Sequence, residues 1–295
     1  MTTKYNNHIV KAKIIGLGEA THGATKIEKY RNDLFKYLIK NCDFTVLIIE
    51  DQFSACEQIN KYIQNKTNYK LQNLIQVLSW IYQTKSMFEL IEYMKEYNKT
   101  HNNILEFHGL DIMFNGEFPV DDITLNKFVV DKINKYNFLK NNIDASNFRD
   151  RAMFQIFDKL YDDDKKYFIF MHNGHICHKI FDKRKSFGYH MKNKFNKLYV
   201  SIGNNFYTGQ FAGYSMNINV KDFQTIDIKN IKNTRSKVNN GLYKNNKKMI
   251  CFSNGAGVDI EKPDFYGWFY DCKKMFDYVI VINRENPKQM LYNIT

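Results

Sequence analysis

Short runs rich in Ile, Val, Leu, Phe and Tyr recur along the chain at 13–17, 44–49, 104–107, 167–171, 198–202, 249–252 and 278–282. Most are apolar at consecutive rather than alternate positions, the pattern of a strand buried on both faces. Between them the spacing turns helical. Ile27, Tyr30, Leu34, Phe35 and Leu38 share a face within 26–40; Met87, Leu90, Ile91 and Met94 do so within 86–97, and Phe148, Met153, Ile156, Phe157 and Leu160 within 147–160. Strands of this kind alternating with helices predict a mostly parallel central sheet covered on both sides, a three-layer α/β/α architecture. Segments 115–142 and 221–248 are polar and rich in Lys and Asn, and they read as peripheral helical insertions. With no repeat and no Gly/Ser linker, 1–295 is expected to be a single domain.

Composition narrows the class. At 295 residues, 44% hydrophobic and 16% aromatic with three prolines, the chain has enough apolar surface to bury a core, which excludes wholesale disorder. No run approaches the roughly 20 apolar residues of a membrane span, and 1–8 lacks the apolar stretch of a signal peptide, so a cytoplasmic protein is expected. Cys42, Cys56, Cys177, Cys251 and Cys272 are scattered and never form a CxxC pair. That speaks against a disulfide framework or a zinc ribbon. The net charge of +12 invites a nucleic-acid reading, but nearly all of it is lysine, with arginine only at 31, 149, 151, 184, 235 and 284. Asn, Ile, Tyr and Phe are plentiful as well, and all of these residues have A- or T-rich codons. A biased genome gives such a composition without selection for phosphate contacts, so only weak, sequence-indifferent binding to DNA is expected. In a chain so sparing of arginine, an arginine beside a motif stands out.

The chemistry gathers where strands end. The first strand runs into Gly16-Leu-Gly-Glu19-Ala-Thr-His22-Gly23 and then a helix. The glycines are expected to let the backbone turn tightly there, placing Glu19, Thr21 and His22 at a helix N-terminus. It is not a dinucleotide fingerprint, because Thr21 stands where the third glycine belongs. A later strand ends in Phe170-Met-His172-Asn-Gly-His175, two histidines three apart beside a turn-forming Asn-Gly, expected to aim both imidazoles into one space. The second strand ends in Glu50-Asp51 and the third in Phe107-His108-Gly-Leu-Asp111. Four successive strands thus carry acid or imidazole at the carboxyl end, the edge where open parallel sheets build their sites. Arg31, nine residues after His22, reaches that edge if its helix angles across it; Arg149 opens the helix leading to the His172 strand. The absence of GxSxG, GxxxxGK[ST] and HExxH excludes serine α/β-hydrolases, P-loop NTPases and zincins. Imidazole and carboxylate remain, groups suited to activating water.

These residues resemble the erythromycin esterase family, which includes succinoglycan-biosynthesis homologues. The likeness lies in Gly16–Gly23 with Arg31, the run 44–50 ending in Glu50, Trp80 with 94–98, Gly109-Leu-Asp111, Arg149-Asp-Arg-Ala-Met153, Met171-His-Asn-Gly-His175, Phe187-Gly188, and 201–203 with Phe206 and Gly209. It runs collinearly over about 11–215. The resemblance implies a metal-independent or metal-assisted hydrolase that opens a macrolide lactone by water attack, an antibiotic-resistance activity. In that pattern His22 matches the proposed general base and Glu19 its preceding acid, while Arg31, Glu50, His172 and His175 match the remaining functional positions. Asp111, Arg149 and Trp80 are expected to line the substrate site. The region between Asp111 and Arg149, where the family carries cleft-forming helices, is reduced here, leaving a macrolide less wall to rest on.

The expected mechanism is that His22, held by Glu19 or Glu50, takes a proton from water, while Arg31 with His172 or His175 stabilises the oxyanion and protonates the leaving alcohol. No cofactor or bound metal is expected, and the partner is a small ester or lactone rather than a membrane or a specific nucleic acid. One rival is an iron- or zinc-binding protein using His22, His172, His175 and Glu50, since haem-linked relatives share the sheet topology. The other is a non-enzymatic basic nucleic-acid binder.

Overall fold

A computed structural model describes residues 9, 11–113, 120–139, 143–180 and 183–214, with the segments 223–227, 249–252, 267–270 and 275–285. Parallel strands β1 (Ile14–Glu19), β2 (Val46–Gln52), β3 (Glu106–Asp111), β4 (Tyr167–His172), β5 (Tyr199–Tyr214) and β9 (Tyr278–Glu285) form the central sheet in the order β3-β2-β4-β1-β5-β9. The far end of β5 also pairs antiparallel with β6 (Phe223–Asp227), and β7 (Met249–Phe252) pairs antiparallel with β8 (Gly267–Tyr270). Helices cover both faces, so the chain has the expected three-layer α/β/α fold. Among the described residues no helix is long and apolar enough to cross a membrane.

The consecutive apolar runs follow from this layering. Phe168 and Phe170 of β4 point into a core shared with helices α1 (Thr25–Cys42), α2 (Phe53–Ile63) and α4 (Lys85–Thr100). Tyr167, Ile169 and Met171 point to the opposite core, shared with α5 (Ile123–Leu139), α6 (Ile143–Leu160) and α8 (Phe187–Phe195). Both parities are therefore apolar, and each buried Phe or Ile contributes about 1.5–3 kcal/mol. Phe35 of α1 stacks on Phe168 with ring centroids 5.5 Å apart. The helix stops where Asp43 takes a left-handed conformation (φ 57°) and its N–H returns to the Leu38 carbonyl. Thr84 caps α4 by accepting from the Met87 N–H at 3.1 Å.

The segment 115–142, read as a peripheral helical insertion, does contain a helix, α5, which buries Leu125, Val129 and Ile133, every fourth residue, against α6. Helix α2 and the short α3 (Leu71–Ile75) lay in stretches given no element, because their apolar positions are interrupted by Gln and Asn. Of 221–248, only β6 falls within the described residues.

The glycines at 16 and 18 do not make a turn. They lie inside β1 on one face, where a side chain has no room: a Cβ on Gly16 would stand 2.6 Å from the Tyr199 hydroxyl, and one on Gly18 would overlap Asn173 Oδ1 at 2.1 Å and its Cα at 3.1 Å. The spacing of two is strand periodicity, and it lets the short helix α7 (Asn173–Ile176) lie down on β1. Gly18→Ala is accordingly expected to cost about 1–3 kcal/mol of stability, as overpacking does. Urea unfolding at unchanged m-value is the check; a loss below about 0.5 kcal/mol would contradict it.

Candidate active site

Sheet order turns residues scattered through the sequence into a row. Along the carboxyl edge stand Asp111 (β3), Glu50 (β2), His172 (β4), Glu19 (β1) and Asn204 (β5), with Glu19 directly opposite His172 in register. Strand parity sends Glu19 and His172 to one face and Glu50 to the other, and the register shift at the end of β2 and β3 brings Asp111 to the Glu50 side, so the row falls into two sets.

The first set continues the face of Ile15, Leu17, Phe168 and Phe170. Glu19 is wholly buried, and its Oε1 lies 2.5 Å from His22 Nδ1. A carboxylate only accepts, so Nδ1 carries a proton, and in the neutral ring the lone pair is on Nε2. The His22 ring, 13% exposed, stands 5.1 Å from the His172 ring between centroids. His172 Nδ1 accepts from the Gly174 N–H at 3.2 Å, which puts the proton of the neutral ring on Nε2. Arg31 is completely buried, its guanidinium 4.8 Å from the Phe170 ring, with Nε donating to Asn32 Oδ1 at 2.9 Å and Nη1 3.5 Å from Glu28. Neither of its terminal nitrogens has a hydrogen-bond acceptor among the described residues. Tyr82, from the 3-10 turn Trp80–Tyr82, is buried nearby and accepts the Glu50 N–H at 3.1 Å. Burial, then the charges of Glu19, Glu50 and Asp51, push its phenol well up, and Arg31 pulls it back. Phe170 lies two residues before His172 on the same face of β4, so Arg31 sits one step beneath the Glu19–His172 pair.

The second set is a chain of alternating charge. Arg149 donates from Nε to Asp111 Oδ1 at 2.8 Å, and from Nη2 to Asp111 Oδ2 at 2.7 Å and Glu50 Oε1 at 2.8 Å. Glu50 Oε1 is also 3.0 Å from His175 Nε2, and Oε2 accepts the His172 backbone N–H at 2.8 Å. Burial alone would raise the Glu50 carboxyl, but His175 and Arg149 outweigh it and hold it well below the usual carboxylate range. The other nitrogen of His175, Nδ1, lies 2.5 Å from Asp150 Oδ1.

All six expected acid, base and arginine positions thus lie at or beneath this edge, but the roles divide more sharply than expected. Glu19, not Glu50, holds His22. The two histidines of the HNGH segment do not share one space: His172 faces His22, whereas His175 turns both nitrogens to carboxylates. His22 is not at a helix N-terminus either, because α1 begins at Thr25 after Ala24, leaving His22 in the connecting loop. Of the positions expected to line the substrate site, Asp111 and Arg149 belong to the charged chain; Trp80 opens its turn half-buried, packed against the layer of α1, α2 and α4. Asp51 serves a local tie, accepting from the Ser79 N–H at 2.8 Å and the Ser79 hydroxyl at 3.0 Å. Asp150, Arg184, Tyr82, Asn173 and Asn204 were not foreseen. The two asparagines clasp α7 to β5, Asn173 Nδ2 donating to the Asn204 carbonyl at 2.7 Å and the Asn204 N–H to Asn173 Oδ1 at 3.0 Å.

As for the iron- or zinc-binding alternative, no group of three or more His, Cys, Asp or Glu among the described residues is arranged to hold a metal ion. Glu50 and His175, two of the four suggested ligands, direct their polar atoms at each other and at Arg149, Asp150 and the His172 backbone.

The two histidines titrate oppositely. Burial alone would lower His175, but Glu50 and Asp150 raise it above the ordinary 6.5. Burial, then the neighbouring His22, pushes His172 down to about 3. A raised histidine contributes stability that is complete below its unfolded pKa and is lost as pH rises through the folded value. A lowered one costs stability as pH falls below 6.5. These two slopes, each at most about 1.4 kcal/mol per pH unit, put the optimum of the pair near pH 6.5, but buried Asp51, raised to about 7, sets an opposing slope on the acid side. The basic arm is therefore the test: melting midpoints should fall from about pH 6.5 to about pH 8, and His175→Gln should flatten that fall.

The family model for erythromycin esterase matches residues 39–124 and 115–275, well over half of the chain. The chain belongs to the erythromycin esterase family. Among solved structures, it is similar to a Bacillus cereus protein (TM-score 0.71, 18% identity, 97% of this chain and 91% of that one). A succinoglycan biosynthesis protein aligns comparably (TM-score 0.70, 18% identity, 96% and 90%). So does a mutant erythromycin esterase in its open conformation (TM-score 0.61, 14% identity, 96% and 93%). At these identities the structural likeness establishes the shared fold. No curated protein sequence matches the chain. Membership of the family places the chain among esterase-type hydrolases.

Proposed function

We propose that the chain hydrolyses a small ester or lactone by water activated at His22. The observation that carries this reading is the buried Glu19 carboxylate 2.5 Å from His22 Nδ1, with the His172 ring 5.1 Å away. Glu19 fixes the tautomer and leaves Nε2 to accept a proton. Water loses that proton to Nε2 as its oxygen bonds to the carbonyl carbon; the resulting oxyanion is stabilised by the Arg31 guanidinium and by the Nε2–H of His172. When the C–O bond breaks, the proton on His22 passes to the departing alkoxide, giving an acid and an alcohol and restoring the site. Family membership supports the reaction class. The role given to Arg31 is supported by its buried terminal nitrogens, which have no hydrogen-bond acceptor among the described residues and only the 3.5 Å ion pair of Nη1 with Glu28, so that N–H donors remain for an oxyanion.

A macrolide is one member of the proposed substrate class. The test is incubation of pure protein with a panel of esters and lactones, macrolides included, followed by mass spectrometry for the addition of one water. Mass gain that His22→Ala abolishes is the expected result; no gain across the panel, or gain indifferent to His22, would refute the proposal.

A further inference from the structure

Asp150 and Arg184 lie outside the residues that the proposed reaction uses, yet Asp150 is wholly buried and saturated with donors. Its Oδ1 receives His175 Nδ1 at 2.5 Å and the Phe187 N–H at 2.9 Å. Its Oδ2 receives Arg184 Nε at 3.1 Å and Nη2 at 2.9 Å. A carboxylate so engaged has no lone pair left for a substrate. What it does is set His175. Each nitrogen of that ring faces an oxygen of an ionised carboxylate, Asp150 on one side and Glu50 on the other at 3.0 Å. Carboxylates accept only, and an imidazole donates from both nitrogens only when it is cationic. The geometry therefore requires an imidazolium, and a neutral ring would set one nitrogen lone pair against a buried carboxylate oxygen.

We propose that Asp150 is a positioning residue that keeps His175 as a standing imidazolium, against the competing charge of Arg184, and through it holds Glu50 and the His172 backbone in place beside His22. The charge sequence supports this: Asp111, Arg149, Glu50, His175, Asp150 and Arg184 alternate in sign and sum to zero only with His175 protonated. Consecutive residues of α6 grip both sides of Glu50, Arg149 directly and Asp150 by way of His175. Glu50 Oε2 in turn accepts the His172 N–H at 2.8 Å. The groups facing His175 are Glu50 from β2, Asp150 and Arg149 from α6, His172 from its own segment, and Arg184, whose Nη2 is 3.3 Å from Nδ1. Burial alone would raise the Asp150 carboxyl toward neutrality, but Arg184 and His175 outweigh it and hold the group down at about 2.

The inference rests on the proposed hydrolysis for its kinetic consequence, but its first readout needs no substrate. The full chain labelled with 15N-histidine is titrated by NMR, and the His175 ring is assigned by its loss in His175→Gln. Both ring nitrogens of His175 are expected to show imidazolium shifts at pH 7 and to titrate above the ordinary histidine value. Asp150→Asn should lower that midpoint by about one unit or more, since it removes an anion in direct contact. Arg184→Gln, on a partly exposed side chain, should raise it by removing a competing cation, and it remains informative if Asp150→Asn does not fold. Opposite shifts from the two variants are not expected of damage to packing alone. Once a substrate is found, Asp150→Asn should lower kcat by about 10²-fold with KM little changed. A pyridine-type nitrogen on His175 at pH 7, or variants that move its midpoint in the same direction, would overturn the inference and leave the hydrolase proposal standing; failure of the substrate panel alone would leave the NMR result intact.

Discussion

Replacing His22 by alanine is expected to lower ester or lactone turnover by about 10²–10⁴-fold, the usual contribution of a positioned general base. Stability should fall by about 1–3 kcal/mol as well, because the change takes from the buried Glu19 carboxylate the ring N–H that it accepts, while the fold is kept because the ring belongs to neither core. Glu19→Gln should approach the same loss by a different route. The amide can donate to Nδ1, which moves the ring proton to Nε2 and leaves no base there. Arg31→Lys is damaging for a third reason, since a point charge cannot reproduce two parallel N–H donors. The decisive comparison is kcat for the three variants against their melting midpoints: full activity in a folded His22→Ala protein would end the mechanism.

The largest effect on stability is expected at Glu50. It is 6% exposed and engages the Arg149 guanidinium, the His175 ring and the His172 N–H at once. Glu50→Ala leaves two buried cations facing each other and one backbone donor without its acceptor. Breaking a buried ion pair from one side typically costs about 3–5 kcal/mol, a large part of the net stability of most domains. Glu50→Gln keeps the shape and an acceptor oxygen and should cost less. Its folded-state pKa is depressed, so the wild-type contribution is complete above the ordinary carboxylate value and is lost as pH falls through the lower one. The Glu50→Ala penalty, measured by urea unfolding, should therefore shrink as the pH drops below about 4. A penalty under about 1 kcal/mol at neutral pH would show that the hub carries little weight.

Much of this was legible in the residues. Buried parallel strands announce themselves by consecutive apolar positions, and the strand ends at 19, 50, 111 and 172 carry their chemistry in plain view. Sequence could not supply the strand order, and that order decides which residues meet: Glu19 and His172 are far apart in the chain but opposite one another in register. Nor could it supply parity at the strand ends, which sends His172 toward His22 and Glu50 toward His175. Arg184 had a usable signal, being one of few arginines and close after the HNGH segment. Asp150 had none beyond adjacency to Arg149, since an acid inside a helix usually marks a solvated face. The glycines at 16 and 18 were visible but misread, because a GxG at a strand end suggests a turn until the neighbour that crowds it is known.

The strand order also bears on how the molecule comes into being. β1 and β2 are made first but are not neighbours; between them the finished sheet holds β4, which begins only at Tyr167. A chain leaving the ribosome therefore cannot complete the middle of its sheet from its first half. Until residues 167–172 arrive, β1 and β2 face a slot one strand wide, with two inward edges whose N–H and C=O groups await a partner. Closing that slot requires contacts across more than a hundred residues of chain, the kind that slow folding most. Before then His22 has Glu19 but no His172 opposite it, so on the proposed mechanism a chain truncated before β4 is expected to be inactive, and a free peptide with the Tyr167–His172 sequence is the natural competitor for the slot.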